Sequence, residues 1–128
     1  MDAIRVLIVD DEQDLLETLV KRLKRRNLQV TGLPDGDKAL KYLREHEIDV
    51  VVLDVKMPGR DGLEILEVIR QTYPAIEVIM LTGHASIRSG ERGMTLGAFD
   101  YIMKPVSIEE LIDTIRQAWI KTRKGRQP

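Results

Sequence analysis

Cysteine is absent from the 128 residues, so the chain can form no disulfide, offers no thiolate nucleophile and holds no cysteine-based zinc site. An excess of charge of one sign is absent too. The 20 basic and 21 acidic residues leave a formal net charge of −1, which excludes strong global attraction to nucleic acid or to a membrane surface and leaves only local patches. No apolar run approaches the ~20 residues of a membrane-crossing helix. The first strand pattern begins within a few residues of the N-terminus, so a cytoplasmic protein without membrane association is expected. Repeats, low-complexity segments and flexible linkers are also missing. What remains is a length suited to one domain, with 43% hydrophobic and 32% charged residues, a globular balance. That domain is expected to span residues 1–122, followed by a basic tail over 123–128 expected to be disordered.

Apolar runs alternate with helical periods five times. Strands are predicted near 4–9, 28–32, 49–53, 76–81 and 99–102, and amphipathic helices near 13–26, 36–46, 62–72, 85–95 and 107–122. Runs such as Val6-Leu7-Ile8-Val9 and Val50-Val51-Val52-Leu53 are apolar throughout rather than alternating, which is the mark of strands covered on both faces. The expectation is an α/β fold: a doubly wound, five-stranded parallel sheet with helices on both faces. Asn27 is a plausible left-handed helix stop, while Ser107 with Glu110 and Asp61 with Glu64 have the spacing of capping boxes.

Two of the apolar runs end in aspartate: Asp10 and Asp11 follow the first, and Asp54 follows the third. Parallel strands place their carboxyl ends on one edge, where open α/β sheets bind ligands, so the three carboxylates can converge. Two such charges 4 Å apart repel by about 4 kcal/mol at an effective dielectric of 20, so the cluster calls for a cation or a raised carboxyl pKa. Magnesium, a hard oxygen-seeking ion, answers that need. Thr82 closes the fourth run and Lys104 follows the fifth, bringing a hydroxyl and an ammonium to the same edge. Such a set can grip phosphoryl oxygens, whose transfer requires alignment and charge neutralisation. Each residue also has a plainer reading alone: Asp11 as a helix cap, Asp54 as a loop carboxylate and Tyr101 as a half-buried strand aromatic.

Asp10-Asp11, Asp54 with Met57-Pro58-Gly59, Leu81-Thr82-Gly83-His84-Ala85, and Tyr101 with Lys104-Pro105 resemble the receiver domain of two-component response regulators, in particular receivers of the NtrC type. The resemblance covers about residues 3–122. It implies the flavodoxin-like (βα)5 topology with strand order 2-1-3-4-5 and a cis Lys104-Pro105 peptide. It also implies that Asp54 accepts a phosphoryl group from a sensor histidine kinase. Asp10, Asp11, Asp54 and the carbonyl of Lys56 would hold Mg2+, and Lys104 and Thr82 would contact the phosphoryl oxygens. Thr82 and Tyr101 would form the switch, and the face made by the fourth helix, fifth strand and fifth helix would meet an output domain or protein, with homodimerisation on activation as one outcome. Lys56 and His84 occupy positions that would tune phosphoryl lifetime. The chain would be a switch that assists its own phosphorylation and dephosphorylation rather than an enzyme.

Rival readings remain open at this stage. A small phosphatase using an aspartyl phosphate would carry a second aspartate two residues after the nucleophile, where Lys56 stands. A flavin- or nucleotide-binding domain lacks support, since neither a Walker motif nor G-x-G-x-x-G follows the first strand. A degenerate receiver acting as a phosphorylation-independent docking module is the alternative of the same fold. Gly90 and Gly93 would make the fourth helix marginal. The cations at 21–26 and in the tail fit solvated helix ends, and direct nucleic-acid binding is not expected. His46 reads as a surface residue and Trp119 as core.

Overall fold

The computed structural model describes residues 3–57, 59, 61–83 and 87–126. Its elements are β1 (Arg5–Val9), α1 (Gln13–Lys24), β2 (Gln29–Leu33), α2 (Gly36–Glu45), β3 (Val50–Asp54), α3 (Gly62–Thr72), β4 (Glu77–Thr82), α4 (Ile87–Thr95), β5 (Asp100–Met103) and α5 (Ile108–Arg126). The five strands form one parallel sheet in the order β2-β1-β3-β4-β5, the topology the resemblance implied.

Side chains of a strand point alternately to opposite faces, so a run apolar at every position feeds two cores. Val6, Ile8, Val50, Val52, Ile79 and Leu81 pack with Leu16, Leu19 and Leu23 of α1 and Leu111, Ile112 and Ile115 of α5. Leu7, Val9, Val51, Leu53, Val78 and Met80 pack on the other face with Leu40 and Leu43 of α2 and Ile65, Leu66 and Ile69 of α3. All five residues of β3 are buried, as befits the central strand of a doubly covered sheet.

Local signals set the boundaries. Asn27 adopts φ 65° after α1, as expected of its short polar side chain. Asp61 Oδ1 accepts from the Leu63 N–H at 2.9 Å, and Ser107 Oγ accepts from the Glu110 N–H at 3.3 Å. One boundary differs from expectation: α5 runs on to Arg126, so residues 123–126 continue the helix instead of beginning a tail. Lysine and arginine are good helix formers and are favoured near a helix C-terminus, and the Arg123 guanidinium lies over the Trp119 ring at 4.9 Å. Residues 127 and 128 lie outside the described residues.

Candidate functional site at the carboxyl edge of the sheet

The ladder extends past the strand ends, and this holds the edge residues in register. The Asp10 N–H donates to the Leu33 carbonyl at 3.1 Å, the Val55 N–H to Leu81 at 3.1 Å and the Lys104 N–H to Thr82 at 2.8 Å. Asp54 and Thr82 are thus the last residues of β3 and β4, each one position further into its strand than the sequence suggested. The loop after Asp54 folds back tightly on the start of α3. A Cβ on Gly62 would lie 2.1 Å from the Asp54 carbonyl oxygen, so only glycine fits there.

Asp10, Asp11 and Asp54 converge as expected, each offering a carboxylate oxygen within 4.8 Å of the others. Asp10 and Asp54 are buried while Asp11 is exposed. Asp10 Oδ1 accepts from the Glu12 N–H at 2.9 Å. Asp10 Oδ2 has no hydrogen bond among the described residues, although Lys104 Nζ stands 3.1 Å away as its ion-pair partner. The same ammonium is 3.5 Å from Asp54 Oδ1 and 2.7 Å from Glu12 Oε1. The α1 cap position belongs to Glu12, whose side chain makes no capping bond, so Asp11 is not the helix cap.

Burial, then the charge of Asp10 and to a lesser degree that of Asp11, push the Asp54 carboxyl up to about 6, with Lys104 opposing them. Burial by itself would lower the Lys104 ammonium. The Glu12 hydrogen bond and the charges of Asp54 and Asp10 outweigh it, and the group is held above its ordinary range. One ammonium against this many carboxylates leaves negative charge uncompensated. An all-oxygen anionic donor set in which a buried oxygen, Asp10 Oδ2, has an ion-pair partner but no hydrogen bond among the described residues fits a hard divalent cation such as Mg2+.

Thr82 is fully buried and its Oγ1 has no hydrogen-bond partner among the described residues, a costly state for a hydroxyl unless a ligand completes it. Tyr101 is half-buried on β5, and its ring lies so close to α4 that a Cβ on Gly90 would come within 2.7 Å of Cδ2. The Lys104-Pro105 peptide is cis. Lys56 is exposed two residues beyond Asp54; His84 and Pro58 lie outside the described residues. His46 stands apart, stacked on Tyr42 with ring centroids 3.9 Å apart, and Trp119 packs at the margin of the α1–α5 core. Arg26, just past the end of α1, pairs with Glu109 of α5.

Sequence reasoning missed Glu12. The available signal was a helix opening on glutamate, a residue outside the favoured cap set, directly after two aspartates.

The sequence profile of the response regulator receiver domain matches residues 6–116. An NtrX-like response regulator of Rickettsia bellii is 36% identical over 99% of this chain, and the DNA-binding transcriptional regulator NtrC of Proteus hauseri is 32% identical over 96%. The chain spans only 27% and 26% of the length of these two relatives. Among solved structures, a response regulator receiver domain protein from Clostridium thermocellum superposes with a TM-score of 0.90 at 32% identity, covering 94% of this chain and 97% of that one. NtrX from Brucella abortus, in complex with ADP, superposes at 0.92 with 29% identity, covering 98% of this chain and 29% of that one.

Proposed function

This chain belongs to the response regulator receiver domain family of two-component systems, and we propose that it is a cytoplasmic phosphoacceptor switch that takes a phosphoryl group from a sensor histidine kinase onto Asp54. A carboxylate oxygen of Asp54 attacks phosphorus as the phosphorus–nitrogen bond to the kinase imidazole breaks. The electron pair of that bond stays on the imidazole, which takes up a proton. Asp54 enters this step as carboxylate, and with its carboxyl at about 6 it is predominantly ionised at neutral pH.

Lys104, 3.5 Å from Asp54 Oδ1, would pair with the phosphoryl oxygens, and the Thr82 hydroxyl, which has no partner among the described residues, would donate to one of them. Asp10, Asp11, Asp54 and the Lys56 carbonyl would hold Mg2+, which when bound neutralises charge on the transferring group. The observation that carries the reading is the buried Asp54 facing this ammonium beside a buried hydroxyl that lacks a partner.

Recruitment of Thr82 by the phosphoryl group would alter the packing of Tyr101 and with it the face formed by α4, β5 and α5. That face would control an output domain or protein, with dimerisation of the activated chain as one form of output. Lys56 and His84 would tune phosphoryl lifetime by shielding the group from attacking water.

Incubation with Mg2+ and a small acyl phosphate, followed by intact mass, tests the reading. The wild type gains one phosphoryl group and Asp54→Ala gains none. A gain that survives in Asp54→Ala moves the acceptor elsewhere, and no gain in either favours the docking-module alternative. Followed over time after donor removal, Lys56→Ala with His84→Ala loses the group at a different rate from wild type; an unchanged rate removes both residues from lifetime control.

A further inference from the structure

Among the oxygens within reach of the Lys104 ammonium, the nearest belongs to neither Asp54 nor Asp10. It is Glu12 Oε1 at 2.7 Å, contributed from a position 92 residues away in sequence. Two observations make this contact more than a surface pairing. Glu12 occupies the α1 cap without capping it, and its own N–H is already satisfied by Asp10 Oδ1, so no local bond claims its carboxylate. Glu12 is largely exposed, its side chain at 60%, whereas Lys104 is at 15%. The glutamate can therefore let go into water at little cost, while the ammonium must always find an anion within the site.

We propose that Glu12 is a positioning residue that holds Lys104 in the resting protein, so that the ammonium is handed from a carboxylate to the phosphoryl group when Asp54 is modified. This rests on the reading of Asp54 as phosphoacceptor. A phosphoryl group brings more negative charge and more acceptor oxygens than one carboxylate, so the exchange runs toward the modified site. Glu12 thereby sets a threshold: it competes for the cation the incoming group needs, and the resting state is favoured by the strength of that competition. Because the pair is open to solvent on the Glu12 side, its effect on phosphorylation is modest, about two- to five-fold.

Two variants of the full chain separate contact from charge. Glu12→Gln keeps length and an acceptor oxygen but removes the charge, whereas Glu12→Asp keeps the charge and shortens the reach by one methylene. With a small acyl phosphate as donor and Mg2+ at saturation for each protein, both variants gain the phosphoryl group about two- to five-fold faster than wild type. If Glu12→Asp behaves as wild type while Glu12→Gln is faster, the effect is the general field of the carboxylate, and the handover is wrong. Unchanged or slower rates in both overturn it as well.

A second readout needs no phosphorylation. The 15N resonance of the Lys104 ammonium, assigned by its loss in Lys104→Arg, is protected from proton exchange in the resting wild type and loses that protection in both variants. Equal protection in all three overturns the contact itself. Failure of the wild type to take up a phosphoryl group strikes instead at the phosphoacceptor reading, so the two failures are distinguishable.

Discussion

A buried carboxyl displaced upward is a cost carried for function, and Asp54 carries it. Its folded value of about 6 against an ordinary 3.8 means that the folded chain binds a proton that the unfolded chain has released between those values. Stability therefore falls as pH rises through that window, and the cost is complete above pH 6. A difference of about two units corresponds to roughly 3 kcal/mol. In chelator, Asp54→Asn is expected to match the wild type in urea unfolding near pH 4. Near pH 7.5 it is expected to exceed it by up to about 3 kcal/mol. Mg2+ at ten times its dissociation constant should return about 1.4 kcal/mol to the wild type and less to the variant. An Asn variant no more stable than wild type at the higher pH would show that the acidic cluster is already relaxed without metal. At this scale the sequence was informative where residue type is chemically restrictive: Asp10, Asp11, Asp54, Thr82 and Lys104 all reach one edge. It was silent on Glu12, because a glutamate at a helix start has an ordinary reading and only the contact 92 residues away gives it another.

At the scale of elements, α4 shows how a composition argument can be right about a helix and silent about a residue. Helix propensity penalises Gly90 and Gly93 alike, and leaves close packing on a neighbouring element as an equal explanation for one of the two. The structure separates them. A Cβ at Gly93 would sit 3.1 Å from Met80 Cγ, a flexible neighbour that can give way, while a Cβ at Gly90 would meet Tyr101 at Cδ2, Cε2 and Cγ, all within 2.9 Å. Gly90 is a notch that admits the aromatic ring. Gly93→Ala is accordingly expected to gain up to about 1 kcal/mol from helix propensity. Gly90→Ala should lose about 1–3 kcal/mol to overpacking, less the same propensity gain, and should move the Tyr101 ring resonances. Urea unfolding with ring NMR checks both, and equal stabilisation by the two alanines would refute the notch. Periodicity placed every element because each helix has one apolar face and the inner strands have two. It could not show which glycine backs onto an aromatic, since that depends on β5 lying against α4.

Across the whole molecule, the two ends of the sheet treat buried charge differently. Among the described residues both edges hold buried oxygens without hydrogen bonds, Asp10 Oδ2 and Thr82 Oγ1 at the carboxyl edge and Glu77 Oε1 at the amino edge, but the carboxyl edge shares the Lys104 ammonium among several carboxylates, whereas each buried carboxylate of the amino edge has a cation of its own beside it. There Arg5 binds Asp49 through Nε at 3.2 Å and Nη2 at 3.0 Å and reaches Glu47 at 2.8 Å. Glu77, buried at the start of β4, stands 3.9 Å from Arg70 of α3 and 3.6 Å from Lys121 of α5. None of this was legible in the sequence: Asp49 and Glu77 fall inside the predicted strands, but residue type alone does not show that the sheet would bury them or which cations would meet them. The Glu77 cluster ties the later turns of α5, which carry Lys121, to the sheet. A buried carboxylate that loses one of its cations is left undercompensated, whereas removing the carboxylate itself removes the need. Lys121→Met is therefore expected to cost about 1 kcal/mol in the wild type, a value kept small because the Lys121 side chain is 59% exposed. In a Glu77→Gln background the same change should cost close to nothing, leaving a coupling of nearly the full amount. The cycle is read by urea unfolding at high and low salt. Strictly additive losses would mean that Lys121 acts only through the Phe99 ring it overlies at 5.7 Å, and that apolar packing alone holds α5 to the amino edge of the sheet.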